Sequence, residues 1–196
     1  VAVITGAGSG IGRGMARAFA GAGMHVVVAD VELDAAEAVA RELNGTAVKV
    51  DVTKPDDVRA LADQVYRQHG AVHLLCNNAG VGGDMAKLET ENEGTWKRVF
   101  GVNVLGAVFG SKHVAPHMTA RKYGAIVNTA SVAGIRGGAG GNAYSASKAA
   151  LIHFTMTAAC ALGGFNVRVN AVCPGLIETG MTKRAFDYAR ASGKID

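Results

Sequence analysis

The sequence has 196 residues, of which 49% are hydrophobic and 27 are glycines, which suits one turn-rich α/β domain over residues 1–196 and excludes a disordered chain. A net charge of +4, spread along the chain, gives no support for nucleic-acid binding. The stretch that comes nearest to a membrane span, residues 99–110, is shorter than the ~20 residues that a membrane-spanning helix requires. Three scattered cysteines without metal-binding spacing, Cys76, Cys160 and Cys173, and the lack of a signal peptide predict a reduced, cytoplasmic protein with no metal site.

The chain begins with a short apolar segment, residues 1–4, that predicts a buried strand. The next residues, Thr5-Gly6-Ala7-Gly8-Ser9-Gly10-Ile11-Gly12, lead into an amphipathic segment that predicts a helix. A glycine turn between strand and helix lets the backbone approach a pyrophosphate, and the free N–H groups at the helix start face the anion. The pattern indicates a dinucleotide site, with an ordinary tight loop as the alternative.

The second predicted strand, residues 25–29, ends at Asp30. In a dinucleotide site, a carboxylate at this position accepts hydrogen bonds from both hydroxyls of the adenosine ribose and repels a 2′-phosphate. Ala7-Gly8-Ser9 contains no lysine or arginine that would attract such a phosphate. These residues favour NAD over NADP, with the alternative that Asp30 only caps the turn before the next helix.

Strand and helix patterns alternate along the rest of the chain. Further strands are predicted at residues 47–51, 72–77, 125–130 and 167–171. Helices are predicted from Thr53, as the N-cap ahead of Pro55, and at residues 95–117 and 142–162. This alternation predicts a doubly wound parallel sheet with helices on both faces.

Two features of the helices carry chemistry. Tyr144 and Lys148 stand four residues apart and therefore share one helix face. A lysine charge in a partly dry cleft favours the phenolate form, which suits Tyr144 to acid/base chemistry; a solvated surface pair is the alternative. Asn103, in an apolar neighbourhood, needs hydrogen-bonding partners, and a satisfied core asparagine is one interpretation.

Polar residues stand at the carboxyl ends of four predicted strands: Asp30, Asp51, Asn78 and Ser131. The carboxyl ends of parallel strands meet at one edge of a sheet, where open α/β sheets bind their ligands. We therefore expect the glycine turn, Asp30 and the Ser131, Tyr144 and Lys148 set to share one cleft.

Taken in order, these motifs, with Asp51-Val52, Asn77-Asn78-Ala79-Gly80, Asn103, and Pro174-Gly175 followed by Thr179, resemble those of the short-chain dehydrogenase/reductase family. The resemblance implies a Rossmann fold and an NAD-dependent oxidoreductase acting on a secondary alcohol or ketone. It implies that Ser131 hydrogen-bonds the reacting oxygen, Tyr144 transfers its proton and Lys148 acidifies the phenol and binds the nicotinamide ribose. Asn103 would anchor a water in a proton relay.

The resemblance also implies which residues contact the cofactor: Gly6, Ser9, Gly10, Ile11, Asp30, Asp51, Val52, Asn78, Ala79, Gly80, Tyr144, Lys148, Pro174, Gly175, Ile177 and Thr179. It implies a homodimer or homotetramer, a substrate loop within residues 181–196, and a C-terminal part of the family that is missing after Asp196. The substrate itself is not identified. Two alternatives remain, a non-catalytic dinucleotide-binding sensor or scaffold and a structural subunit that binds no nucleotide.

Overall fold

The computed structural model describes residues 1–183, 187 and 190, and this part of the chain forms one six-stranded sheet. Its strands are β1 (Ala2–Thr5), β2 (Val26–Asp30), β3 (Thr46–Lys49), β4 (Leu74–Asn77), β5 (Gly124–Thr129) and β6 (Val167–Val172). All neighbours are parallel, in the order β3-β2-β1-β4-β5-β6. This order confirms the predicted doubly wound sheet. The strands are added in one direction from β1 to β3 and in the opposite direction from β4 to β6, so the strand order reverses between β1 and β4.

Helices cover both faces of the sheet. They are α1 (Gly10–Gly21), α2 (Leu33–Leu43), α3 (Pro55–His69), α4 (Glu93–Phe100), α5 (Gly106–Arg121) and α6 (Asn142–Gly163). Successive strand residues point to opposite faces, so Ile4 of β1 packs with α1 and α2, whereas Val3 packs with α3, α5 and α6. Burial on both faces explains why the inner strands β1 and β2 are nearly continuous apolar runs, whereas the edge strand β6 alternates between buried and exposed residues.

The helix predicted to begin after Thr53 has a different N-cap. Lys54 is the N-cap of α3, because the Thr53 hydroxyl and amide both donate to Asp51 Oδ1, at 2.7 and 3.0 Å. The prediction of Pro55 in the first turn is confirmed. Proline suits this position because the first turn needs no N–H donor for an intrahelical bond.

The helix predicted over residues 95–117 consists of three segments. Between α4 and α5 lies a π-helical turn, Gly101–Leu105, which contains Asn103. One extra residue in such a turn changes the direction of the side chains around it. Here the π-helical turn carries the buried side-chain amide of Asn103. The interruption depends on this polar residue, so the spacing of the apolar residues alone could not show where the helix changes.

The predicted substrate loop, residues 181–196, lies largely outside the described residues. Within it, Lys183 pairs with Asp187 at 3.0 Å, and Arg190 makes a two-point contact with Glu178 at 2.8 Å. Across the part of the chain that the structure describes, none of the helices combines the length and the apolar composition that crossing a membrane demands.

Candidate active site

A cleft of about 530 Å³ lies at the carboxyl ends of the strands, where the strand order reverses. Ligands of open α/β sheets bind at such a reversal, and the volume is in the range of small-molecule sites. The structure brings together in its walls all sixteen residues that the resemblance assigns to the cofactor, from Gly6 to Thr179, and adds Ser131. Asn103 is buried behind the wall, against Gly80.

The glycine turn after β1 is held against the residues that follow β4. Gly6 has φ +63°, and a Cβ atom there would lie 2.8 Å from the Cα of Ala79. Asn78 Nδ2 donates to the carbonyls of Thr5 and Gly6 at 2.9 and 3.1 Å. A Cβ on Gly12 would overlap the Gly6 carbonyl. This close approach of backbone to backbone leaves the first N–H groups of α1 at the cleft, which is an arrangement that accepts a phosphate.

Asp30, the last residue of β2, lies beside this turn. Its Oδ2 accepts from the Gly8 amide at 2.8 Å, and its Oδ1 accepts from the Glu32 amide at 3.1 Å. The second bond is the turn-capping contact that was the alternative interpretation. Each carboxylate oxygen can accept a further bond, so capping the turn is compatible with contacting a ribose.

Lys148 is almost fully buried beside Tyr144. Its Nζ lies 5.6 Å from the centre of the Tyr144 ring and donates to the Thr129 carbonyl at 2.7 Å. Burial, which disfavours the charged form, lowers the pKa of Lys148 to about 8. The ammonium therefore predominates at neutral pH, in surroundings where little water weakens its field on the phenol.

Ser131 begins the 3₁₀ turn Val132–Gly134 and is also buried. Its Oγ accepts from the Ala133 amide at 3.1 Å, so its hydroxyl hydrogen remains available to a group in the cleft. The segment with Pro174 is fixed next to it, because the Val132 amide donates to the Pro174 carbonyl at 3.1 Å.

Asn103 connects the π-helical turn to two other elements. Its Oδ1 accepts from the Val81 amide at 2.8 Å, and its Nδ2 donates to the Val81 carbonyl at 3.1 Å and to Ser147 Oγ at 3.0 Å. Ser147 in turn donates to the Tyr144 carbonyl at 2.7 Å. The side-chain amide thus supports α6 between Tyr144 and Lys148, and the predicted water-binding role stays a prediction.

Thr129 and Ser147 are among the residues of this site that the sequence analysis did not identify. The Thr129 carbonyl accepts a hydrogen bond from the Lys148 ammonium, and the Thr129 hydroxyl donates to Asn78 Oδ1 at 3.2 Å. Its place at the carboxyl end of β5, two residues before Ser131, was a usable signal. Ser147 lies within the Tyr144–Lys148 run, but only the fold shows that it meets Asn103.

The chain is similar to known proteins both in sequence and in structure. The family model described as short chain dehydrogenase matches residues 1–189. The 3-oxoacyl-[acyl-carrier-protein] reductase FabG of Thermotoga maritima is 40% identical over 195 residues, covering 97% of this chain and 79% of that protein. Meso-2,3-butanediol dehydrogenase of Serratia marcescens is 42% identical over 185 residues, covering 93% and 73%. The crystal structure of a short-chain dehydrogenase/reductase from Burkholderia phymatum in complex with NAD has a TM-score of 0.88 and 39% identity, covering 94% and 68%.

Proposed function

The chain belongs to the short-chain dehydrogenase family, and from this premise we propose that it transfers a hydride between NAD(H) and a secondary alcohol or ketone. The observation that carries the proposal is the buried Lys148 ammonium beside the Tyr144 ring, in the same cleft as Ser131 and the glycine turn. A dinucleotide-binding sensor would need the glycine turn but not this polar set. Relatives named as dehydrogenases of alcohols support the same reaction class.

NAD is the proposed cofactor because the cleft fits it at two points. The backbone cradle at Gly6 and Gly12 has no space for side chains, and free helix N–H groups suit a pyrophosphate. Asp30 would accept from the ribose hydroxyls and would repel the 2′-phosphate of NADP. A similar protein was crystallised in complex with NAD.

In the proposed mechanism, Tyr144 as phenolate removes the alcohol proton. Ser131 donates its hydroxyl hydrogen to the same oxygen, while Lys148, held by the Thr129 carbonyl, stabilises the phenolate. When bound along the cleft beside Tyr144 and Lys148, NAD would supply the acceptor for the hydride that leaves the carbinol carbon. In the reverse direction Tyr144 returns the proton to the carbonyl oxygen. Asn103 keeps α6 in place through Ser147.

We further propose that residues 1–196 act as one catalytic domain, with a small-molecule substrate, in a cytoplasmic homodimer or homotetramer. Support for assembly comes from α6, whose outer face exposes Met156 and Cys160. Met156 and Cys160 lie one helical turn apart, and a contiguous apolar patch of this kind is what a contact between copies would cover.

The test is Tyr144→Phe, assayed with NAD and a panel of secondary alcohols on which the wild type turns over. We expect kcat to fall by about 10²–10⁴-fold, the usual contribution of general acid/base catalysis. NADH affinity, followed by fluorescence of Trp96, should stay within about twofold because the ring and its packing remain. Tyr123→Phe is the matched control, since Tyr123 is 61% exposed and lies away from the cleft wall.

The outcomes separate the candidate functions. Wild-type turnover in Tyr144→Phe would contradict the mechanism. NADH binding without turnover on any alcohol would favour the sensor, and failure to bind NADH would favour the structural subunit.

A further inference from the structure

We propose that Glu91 is a positioning residue whose carboxylate joins the loop between β4 and α4 to the first turn of α6 and so fixes the place of Tyr144. We call this loop, residues 78–92, the cleft loop. The inference rests on the proposed function, in which Tyr144 is the acid/base.

One half-buried carboxylate connects three elements. Glu91 Oε1 accepts from Asn142 Nδ2 at 2.7 Å, and Glu91 Oε2 accepts from Trp96 Nε1 at 2.6 Å. Asn142 is the first residue of α6, two residues before Tyr144, and Trp96 belongs to α4, where it stacks on Phe100. Hydrogen bonds to an ionised acceptor are short and about twice as strong as neutral ones.

The N-terminus of α6 has no side-chain cap. Its N-cap is Gly141, which has no side chain, and the first turn, Asn142-Ala143-Tyr144, contains no acid. Unpaired N–H groups and the positive end of the helix dipole therefore face the cleft loop. Glu91 brings a negative charge to this end from another part of the chain.

The cleft loop packs directly against Tyr144. A Cβ on Gly83 would lie 3.5 Å from the Tyr144 amide nitrogen, and a Cβ on Gly141 would overlap the Asp84 carbonyl. Backbone contacts without interlocking side chains fix a distance but allow sliding. A directional bond is needed to fix the register of loop and helix.

Other side chains attach the cleft loop elsewhere. Asp84 accepts from Thr95 at 2.9 Å and Gly82 accepts from Arg98 at 3.1 Å, and both of these partners belong to α4. Among the side-chain hydrogen bonds of the described residues, the one between Glu91 and Asn142 joins this loop to the first turn of α6. Asn103 links Val81 of the loop to α6 through Ser147, one turn further along, so the position of Tyr144 relative to the loop depends on Glu91 at the start of the helix and on Asn103 behind it.

The first variant is Glu91→Gln. A carboxamide removes the negative charge: its oxygen can accept from Trp96, and its nitrogen pairs with Asn142 only when that amide turns its oxygen toward the loop, which leaves a neutral bond in place of the charged one. We expect kcat to fall roughly tenfold, since small displacements of a reacting group have large effects on rate, while NADH affinity stays within about twofold. Glu93→Gln is the control, because Glu93 is 81% exposed, pairs with Lys97 on α4 and should leave kcat unchanged.

The second variant reverses the polarity of the pair. In Glu91→Gln with Asn142→Asp, the glutamine oxygen accepts from Trp96 and its nitrogen donates to the new carboxylate, which also suits the helix N-terminus. We expect kcat to return to within about threefold of the wild type. If Glu91 mattered only for the stability of its own loop, and not through its bond to Asn142, the Asn142→Asp change would not restore kcat.

A third measurement does not depend on turnover. Trp96 is the only tryptophan, and Asn142→Ala should shift its emission maximum through Glu91, although Trp96 bonds to Glu91 rather than to Asn142. Unchanged kcat in Glu91→Gln, failure of the reversed pair to restore it, or an unchanged Trp96 spectrum in Asn142→Ala would each overturn the inference. A wild type that turns over no alcohol would instead refute the proposed function, and the Trp96 spectra would then decide on Glu91.

Discussion

Lys148→Met tests the central electrostatic feature of the site. The folded protein holds the Lys148 pKa at about 8, below its ordinary value of 10.5, because burial disfavours the ammonium. Between these two pH values the unfolded chain retains a proton that the folded protein has released. The free energy of unfolding therefore rises with pH across this window. Below pH 8 both states are protonated and the full penalty applies, whereas above pH 10.5 both are neutral and the penalty is gone.

The size of the effect follows from the two pKa values. A difference of about 2.5 units at 1.36 kcal/mol per unit corresponds to about 3 kcal/mol. We expect the unfolding free energy of the wild type minus that of Lys148→Met to rise by this amount from pH 8 to pH 10.5. Subtraction removes the titration of the shared groups that lie away from Lys148.

Urea unfolding, followed by the fluorescence of Trp96, measures this difference at each pH. Lys97→Met is the control, because Lys97 is 75% exposed and its removal should leave no slope in this window. A wild-type minus Lys148→Met difference that stays flat between pH 8 and pH 10.5 would show that the ammonium is well hydrated. Lys148 would then not hold a dry charge beside Tyr144.

Three further predictions concern the cofactor, the packing and the assembly. The wild type should bind NADH much more tightly than NADPH in a fluorescence titration, and Asp30→Ala with Ser9→Arg should reverse this preference; equal wild-type affinities would contradict the role of Asp30. Gly134→Ala should lower the urea-unfolding free energy by about 1–3 kcal/mol, because its Cβ would lie 2.6 Å from the α6 backbone. Gly137→Ala, with open space around it, is the control, and equal stabilities would refute the reasoning. Light scattering should give the mass of a dimer or tetramer, and Met156→Glu should lower it; a wild-type monomer would count against the apolar contact.

Much of the fold follows from local sequence patterns. Apolar runs such as Val26-Val27-Val28 predict buried parallel strands, and each residue just after a strand is carried to the same edge of the sheet. This geometry is why Asp30 and Ser131, 101 positions apart in number, meet one cleft. The order of motifs along the chain was therefore sufficient to group them in space.

Contacts between side chains that are distant in sequence could not be found in this way. The bond of Glu91 to Asn142 joins residues 51 positions apart, and nothing in the spacing of either residue indicates it. Likewise, the π-helical turn at Asn103 depends on the Val81 backbone and Ser147 being available as partners. Such features arise when elements pack, after local patterns have already selected those elements.

The hydrogen bonding of Lys148 distinguishes a functional lysine from a structural one. An ammonium has three donors, and a buried structural lysine is stable only when acceptors or an acid compensate for lost hydration. Among the described residues, the Thr129 carbonyl takes one donor, and the ammonium lies in the wall of the cleft, where it can reach a ligand. The fold thus holds a charge that it only partly compensates, at a cost in stability visible in the lowered pKa. A bound ribose hydroxyl and a phenolate at Tyr144 would supply the acceptors that the protein does not, which is why we interpret the burial of Lys148 as preparation for a ligand rather than as part of the core.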